Sequence, residues 1–229
     1  CKSNGIKNFL LLCGYKKEHI QKYFKSGKKL GVNIKYHYNP PKIKTLKRLI
    51  DAKKLLDRKF LLLYSDNYSS LNLIDLIKNY KVSKCPIMMS ICKKKSGNII
   101  INEKNKLIKK YFLKKNRSAE FVEIGYMIFP KRILKEATNN NISLSYFLES
   151  NIKKSKISYY INDTNYLSIS DKERLLKTKK FFRNRFILLD RDGVMNLKNK
   201  VHRYVRNLKK LQINKKFLNQ YYSYLKNKK

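Results

Sequence analysis

Apolar residues along this chain gather into short runs, and helical stripes lie between them. Residues 6–13 form a nearly continuous apolar run that stops at Gly14, which predicts a buried strand. Residues 17–24 place Ile20, Tyr23 and Phe24 on one helical face, with Gly27 beyond the end. Residues 32–38 alternate Val, Ile, Tyr and Tyr at period two, a strand, and Pro40-Pro41 breaks the chain after it. A helix is expected over 45–56, with Leu46, Leu49, Ile50, Leu55, Leu56 and Ala52 as its apolar positions. Residues 60–64 are a second continuous apolar strand, which runs into Ser65-Asp66-Asn67-Tyr68. A helix over 71–80 follows, with Leu73, Ile74 and Ile77 as its core face, and then a strand over 87–92. Strand and helix alternate regularly. This rhythm predicts an α/β fold, Rossmann-like and doubly wound around a mainly parallel sheet. Helices on both faces explain why the strands are apolar on both sides.

After Lys93 the pattern changes. Strand-like runs at 99–101, 107–112 and 121–129 are joined by short loops and suggest antiparallel pairing. Short helices are expected over 130–137 and 144–148, and short strands over 157–161 and 166–168. A helix over 171–182, capped by Ser170 or Asp171, precedes a strand over 185–189. A last helix over 217–225 carries Phe217, Tyr221, Tyr224 and Leu225 on one side. No internal repeat and no long linker interrupts the order.

Charge adds an ambiguity. The 229 residues contain 55 Lys and Arg against 15 Asp and Glu, a formal charge of +40. Dense cations release counterions from phosphate backbones, so a basic nucleic-acid-binding module is one reading. The Lys residues are spread along the whole chain, with abundant Asn, Ile, Tyr and Phe and little Ala, as an AT-rich coding sequence produces. The 17 Tyr fall largely at core-type positions rather than on a stacking surface, so no nucleic-acid partner is expected. Either way the charge attracts anionic substrates such as nucleotides. Cys1, Cys13, Cys85 and Cys92 lack metal-ligand spacing and read as free thiols of a reducing compartment. No apolar run approaches the roughly 20 residues of a membrane span, and Leu10-Leu11-Leu12 is too short for a secretory signal. A cytoplasmic location without membrane contact is expected. The oligomeric state is not legible.

Two places carry candidate chemistry. Asp66 ends a buried strand in the βα series, where α/β sheets hold ligands in the crevice beyond the strand ends. By position alone it is equally a turn former or a ligand for Mg²⁺, which needs one or two protein carboxylates plus substrate phosphates. Phe186-Ile187-Leu188-Leu189 runs straight into Asp190-Arg191-Asp192-Gly193. Residues two apart in an extended stretch face the same way, so the carboxylates of Asp190 and Asp192 reach one ligand. Gly193 allows a sharp turn.

Several segments together resemble the sugar-1-phosphate nucleotidyltransferase family. Gly5 to Tyr15, followed by His19-Ile20 and Tyr23-Phe24, is similar to the stretch after that family's second strand. Asp51-Ala52-Lys53-Lys54-Leu55-Leu56 and Phe60 to Asp66 look like its helix and metal-aspartate strand. Phe121-Val122-Glu123-Ile124-Gly125-Tyr126 looks like its sugar-binding strand, and Tyr166 to Leu175 like its closing motif. The pieces cover about residues 5–180 in the family's order. The resemblance implies attack of a sugar-phosphate oxygen on the α-phosphorus of a nucleoside triphosphate, with pyrophosphate leaving. Asp66 would hold Mg²⁺, Glu123 and Gly125 would face the sugar, and Lys115 or its neighbour Lys114 would meet the sugar phosphate. Ser168 stands where the family commonly has a second metal aspartate. The family's glycine-rich phosphate loop belongs before Ile6, and Lys44 and Lys47 replace small residues near the nucleotide. This chain by itself is therefore expected to be inactive.

Leu189-Asp190-Arg191-Asp192-Gly193-Val194-Met195-Asn196, with Tyr204-Val205-Arg206 downstream, resembles the histidinol-phosphate and heptose-bisphosphate branch of the haloacid-dehalogenase (HAD) phosphatases. That resemblance implies Asp190 as nucleophile, Asp192 as general acid and base, and Mg²⁺ bound by both. The remaining motifs of such a domain would lie after Lys229. The expected organisation is a nucleotidyltransferase domain over 1–182 and the first βα unit of a phosphatase over 183–229, the latter loosely packed. A fusion of this kind is associated with nucleotide-activated heptose for lipopolysaccharide. An inactive remnant that keeps only the fold is the other alternative.

Overall fold

The computed structural model describes residues 1–137, 142–183, 214–216, 219–220 and 223. The chain divides into two compact units, Cys1–Ser168 and Ile169–Lys229.

The first unit opens with a single 3₁₀ turn, Lys2–Asn4, and then alternates as the periodicity predicts: β1 (Asn8–Cys13), α1 (Lys17–Phe24), β2 (Asn33–Tyr38), α2 (Thr45–Asp51), β3 (Lys59–Leu63), β4 (Asn67–Ser69), α3 (Leu73–Val82) and β5 (Ile87–Lys93). The strands β6 (Ile99–Asn102), β7 (Leu107–Tyr111) and β8 (Phe121–Pro130) follow, then α4 (Leu144–Lys153), β9 (Ile157–Ile161) and β10 (Tyr166–Ser168). The expected helix over 45–56 is split, because its last turn, Ala52–Leu55, tightens into a 3₁₀ helix. The expected short helix after Pro130 is also 3₁₀, Lys131–Glu136.

Six strands form the main sheet in the order β3-β8-β5-β9-β7-β6. The α/β class holds, and the strand directions refine it. β5 and β9 are parallel, and β8 lies antiparallel to both β3 and β5. Hence β3, β5 and β9, each entered from the helical layers, all run one way, with β8 inserted in reverse. A helical crossover brings the chain back in the same direction, whereas β6, β7 and β8 are joined by short loops that permit reversal. β6 and β7 pair antiparallel, and so do β7 and β9. β1 and β2 make a separate parallel pair, and β4 pairs antiparallel with β10.

Core residues lie on both faces of the sheet. Ile87, Met89 and Ile91 of β5 join Met127 and Phe129 of β8 under Leu46 and Leu49 of α2 and Phe147 and Leu148 of α4. Met88, Cys92, Ile124 and Ile128 point the other way, against Leu71, Leu73 and Leu76 around α3. Two expected helix faces are corrected. In α3 the buried stripe is Leu73 and Leu76, while Ile74 and Ile77 are exposed at 53% and 38%. Leu73, Leu76 and Tyr80 keep helical spacing on one side, and turning that side inward turns 74 and 77 out. In α1 no residue is buried, and Tyr23 is 81% exposed.

The second unit begins with α5 (Lys172–Arg183). Asp171 supplies its cap: Oδ1 accepts from Arg174 N at 2.8 Å, and Oδ2 pairs with Arg174 Nε at 3.2 Å. The expected strand over 185–189 and the terminal face of Phe217, Tyr221, Tyr224 and Leu225 lie outside the described residues. No helix among the described residues is long and apolar enough to cross a membrane. All four cysteines are free, with Cys13 and Cys92 buried.

Candidate active site

The loop that leaves β3 reverses at Tyr64-Ser65-Asp66 and re-forms at once as β4, where Asn67 N donates to Tyr64 O at 3.2 Å. Asp66 is thereby held, half-buried, at the C-terminal edge of the sheet. The antiparallel ladder sets Asn67 opposite Ser168. Asp66, in the turn just before β4, and Ser168 of β10, the two positions that the sequence singled out, thus lie within one residue of register.

β8 supplies the other wall. Gly125 lies at φ 76°, and a Cβ built on it would fall 2.6 Å from Tyr64 Cδ2 and 2.8 Å from Asn67 Nδ2. Tyr64 N donates to Gly125 O at 3.0 Å, and Asn67 Nδ2 donates to Ile124 O at 3.1 Å. A glycine therefore lets Tyr64 and Asn67, on either side of Asp66, close onto β8. Glu123, two residues back, turns into the core. It is 8% exposed, its Oε2 accepts from Tyr111 OH at 2.7 Å, and its Oε1 has no hydrogen-bond partner among the described residues. Burial raises its pKa above the ordinary carboxylate range, and the Tyr64 and Tyr111 hydroxyls beside it oppose that rise. Burial, reinforced by the Glu123 charge, also raises both phenols, so they stay neutral.

A second ring of polar groups braces β4. Asn162, in the turn after β9, donates from Nδ2 to Ser69 Oγ at 2.9 Å and to Thr164 O at 3.1 Å, while Thr164 Oγ1 donates to Asn162 Oδ1 at 2.9 Å. Ser69 N donates to Tyr126 OH at 3.2 Å. Sequence reasoning singled out neither Asn162 nor Tyr64. The Asn162-Asp163-Thr164-Asn165 turn signal was available, but its partner lies 93 residues away. Beside Tyr64, a cavity of about 340 Å³ is lined by Lys44, Thr45, Ser143, Leu144 and Ser145.

Asp66, Ser168 and Gly125 converge around one strand edge, and Glu123 lies beneath them. Lys115 and Lys114 are exposed in the loop before β8, and no hydrogen bond or ion pair with a described residue ties Lys115 to Asp66 or Glu123. Asp190 and Asp192 lie outside the described residues. Among the described residues no three His, Cys, Asp or Glu cluster. A lone half-buried carboxylate with a hydroxyl residue across the ladder does not suit zinc or calcium, which need more protein ligands. It does suit magnesium, which takes one or two carboxylates and fills the remaining positions with water and phosphate oxygens.

No protein-family profile and no characterised protein sequence matches the chain. Solved structures do. HddC from Yersinia pseudotuberculosis matches in two structures, one of them complexed with GMP-PN, with TM-scores of 0.67 and 0.66 at 15% identity. In both, 79% of this chain covers 81% of that one. A putative glucose-1-phosphate thymidylyltransferase from Bacillus anthracis, in complex with a sucrose, matches with a TM-score of 0.70 at 12% identity over 82% of this chain and 81% of that one. The inositol-1-phosphate CTP transferase from T. maritima matches with a TM-score of 0.65 at 16% identity over 80% of this chain and 78% of that one. The chain has the α/β fold that these nucleotidyltransferases share.

Proposed function

We propose that this chain is part of an enzyme that transfers a nucleotidyl group from a nucleoside triphosphate to a sugar 1-phosphate, in sugar-nucleotide biosynthesis. The observation that carries the reading is the convergence of Asp66, Ser168 and Gly125 on one strand edge of a nucleotidyltransferase fold. Asp66 would hold Mg²⁺ together with the triphosphate oxygens, and the bound ion would supply charge neutralisation during nucleotidyl transfer. Ser168, opposite the next residue Asn67, contributes a neutral oxygen. Gly125 forms the sugar side and clears space for the Tyr64 ring, buried Glu123 supports it from beneath through Tyr111 rather than facing the sugar, and Lys115 meets the sugar phosphate from its loop. The sugar is D-glycero-D-manno-heptose in this reading. The Asp190 and Asp192 segment begins a HAD phosphatase that removes a phosphate from the sugar bisphosphate. There Asp190 attacks phosphorus, and Asp192 protonates the leaving oxygen and then activates water. Both activities belong to the longer protein, acting in the cytoplasm toward lipopolysaccharide.

The test uses the complete reading frame with heptose 1-phosphate and each nucleoside triphosphate, and follows pyrophosphate release. Asp66→Ala is expected to lower the Mg²⁺-dependent rate about 100-fold or more, as expected when the group holding a charge-neutralising ion is lost. Its thermal midpoint should not move. Asp190→Asn should abolish phosphate release and leave pyrophosphate release intact. Full activity in Asp66→Ala would sink the assignment.

A further inference from the structure

At the end of the main sheet opposite Asp66, a cavity of about 670 Å³ opens at the feet of β3, β5 and β8. Eight of its thirteen lining residues are Lys or Arg and none is acidic. None of the ion pairs among the described residues uses a lining cation. Cations gathered without counter-charge repel one another, and a bound polyanion relieves that repulsion.

The walls are built on the fold rather than on loose side chains. Lys59 stands opposite Pro130 in the β3–β8 ladder, and Lys131 N donates to Arg58 O at 2.8 Å. Lys131 Nζ donates to Leu56 O at 2.8 Å. The 3₁₀ helix Lys131–Glu136 buries Ile133 and Leu134, and three residues per turn stacks Arg132 over Lys135 on its exposed side. An apolar wall completes the site: Tyr80 OH donates to Pro86 O at 3.1 Å, and Lys59 Nζ lies 5.2 Å from the Tyr80 ring centroid.

We propose that this cavity binds a small polyphosphate, a metabolite with two or more linked phosphates. The phosphates lie against Arg58, Arg132 and Lys135, and the organic part lies against Tyr80 and Pro86. The volume is that of a small-molecule site rather than a nucleic-acid groove. The five residues of β3 separate it from Asp66 by about 15 Å at ~3.3 Å per residue. Either site can fail without the other.

Inorganic tripolyphosphate titrated into the 229-residue chain by calorimetry, at about 0.15 M salt without magnesium, tests the site. Arg132→Glu with Lys135→Glu should weaken binding at least tenfold. Asp66→Ala should change it less than twofold, and so should Lys28→Glu with Lys29→Glu, an equal charge change at an exposed turn elsewhere in the unit. Arg132→Gln with Lys135→Gln, a milder pair should the reversal not fold, should still weaken binding severalfold. Equal weakening by the two reversal pairs would overturn the site in favour of diffuse attraction, and an unaffected Gln pair would overturn it outright. A single-stranded oligonucleotide that binds more tightly than tripolyphosphate and is lost in the Arg132/Lys135 variants would also overturn it, making this face a nucleic-acid surface.

Discussion

Gly125 and Glu123 sit two residues apart on β8, and their environments lead to different predictions. At φ 76°, with Tyr64 and Asn67 against the missing Cβ, Gly125 has no room for a side chain. Gly125→Ala should cost about 2 kcal/mol from backbone strain alone, read as a lower urea midpoint with unchanged slope. It should also disturb Asn67 and hence Asp66. Glu123 is buried with one oxygen unpartnered, and its pKa is raised chiefly by burial. The folded state then holds that proton more tightly than the unfolded chain does. Its contribution is fully present below the ordinary carboxylate pKa and is lost as pH rises through the raised value. Glu123→Gln, which stays neutral, should therefore raise the thermal midpoint at pH 7 and change it little near pH 4. Equal shifts at both pH values would contradict a buried, proton-binding Glu123. Sequence pattern marked both positions, but it could not show that Glu123 points toward Tyr111, because that depends on which strand lies alongside.

At the scale of elements, most strands and helices were legible because apolar period and punctuation agreed. Strands 157–161 and 166–168 fall as the pattern places them, and α1 spans the expected residues. Apart from β4, the errors concern faces rather than existence. Leu73, Ile74, Leu76 and Ile77 are all apolar, so α3 offers two overlapping stripes, and only contact with Met88 and Ile128 selects one. Leu76→Ala is accordingly expected to cost roughly 2–5 kcal/mol as a core truncation. Ile74→Ala should fall within about 0.5 kcal/mol, as for an exposed site. Paired denaturation curves decide it, and equal losses would reject the assigned face. β4 escaped notice because Ser65-Asp66-Asn67-Tyr68 carries turn-forming residues, and its strand character comes from its ladder with β10.

For the whole molecule, a formal charge of +40 on 229 residues means that self-repulsion opposes the compact state. Raising salt from about 0.02 to 0.3 M shortens the screening length severalfold, so the thermal midpoint should climb by several degrees. An unchanged midpoint would mean that the charges are already compensated. The order of apolar runs by itself determined the α/β class and the position of Asp66 at a strand end, because strand and helix periods are local properties of the chain. The motif around Asp190 and Asp192 is likewise a reading of sequence alone. Only the tertiary structure decided that β8 runs in reverse between β3 and β5, that Ser168 stands across from Asn67, and that Gly125 is where Tyr64 closes. It alone gathered cations from distant elements at the opposite foot of the sheet. Such pairings join residues tens of positions apart, and their free energy comes from burial and hydrogen bonds that exist only once the strands are side by side.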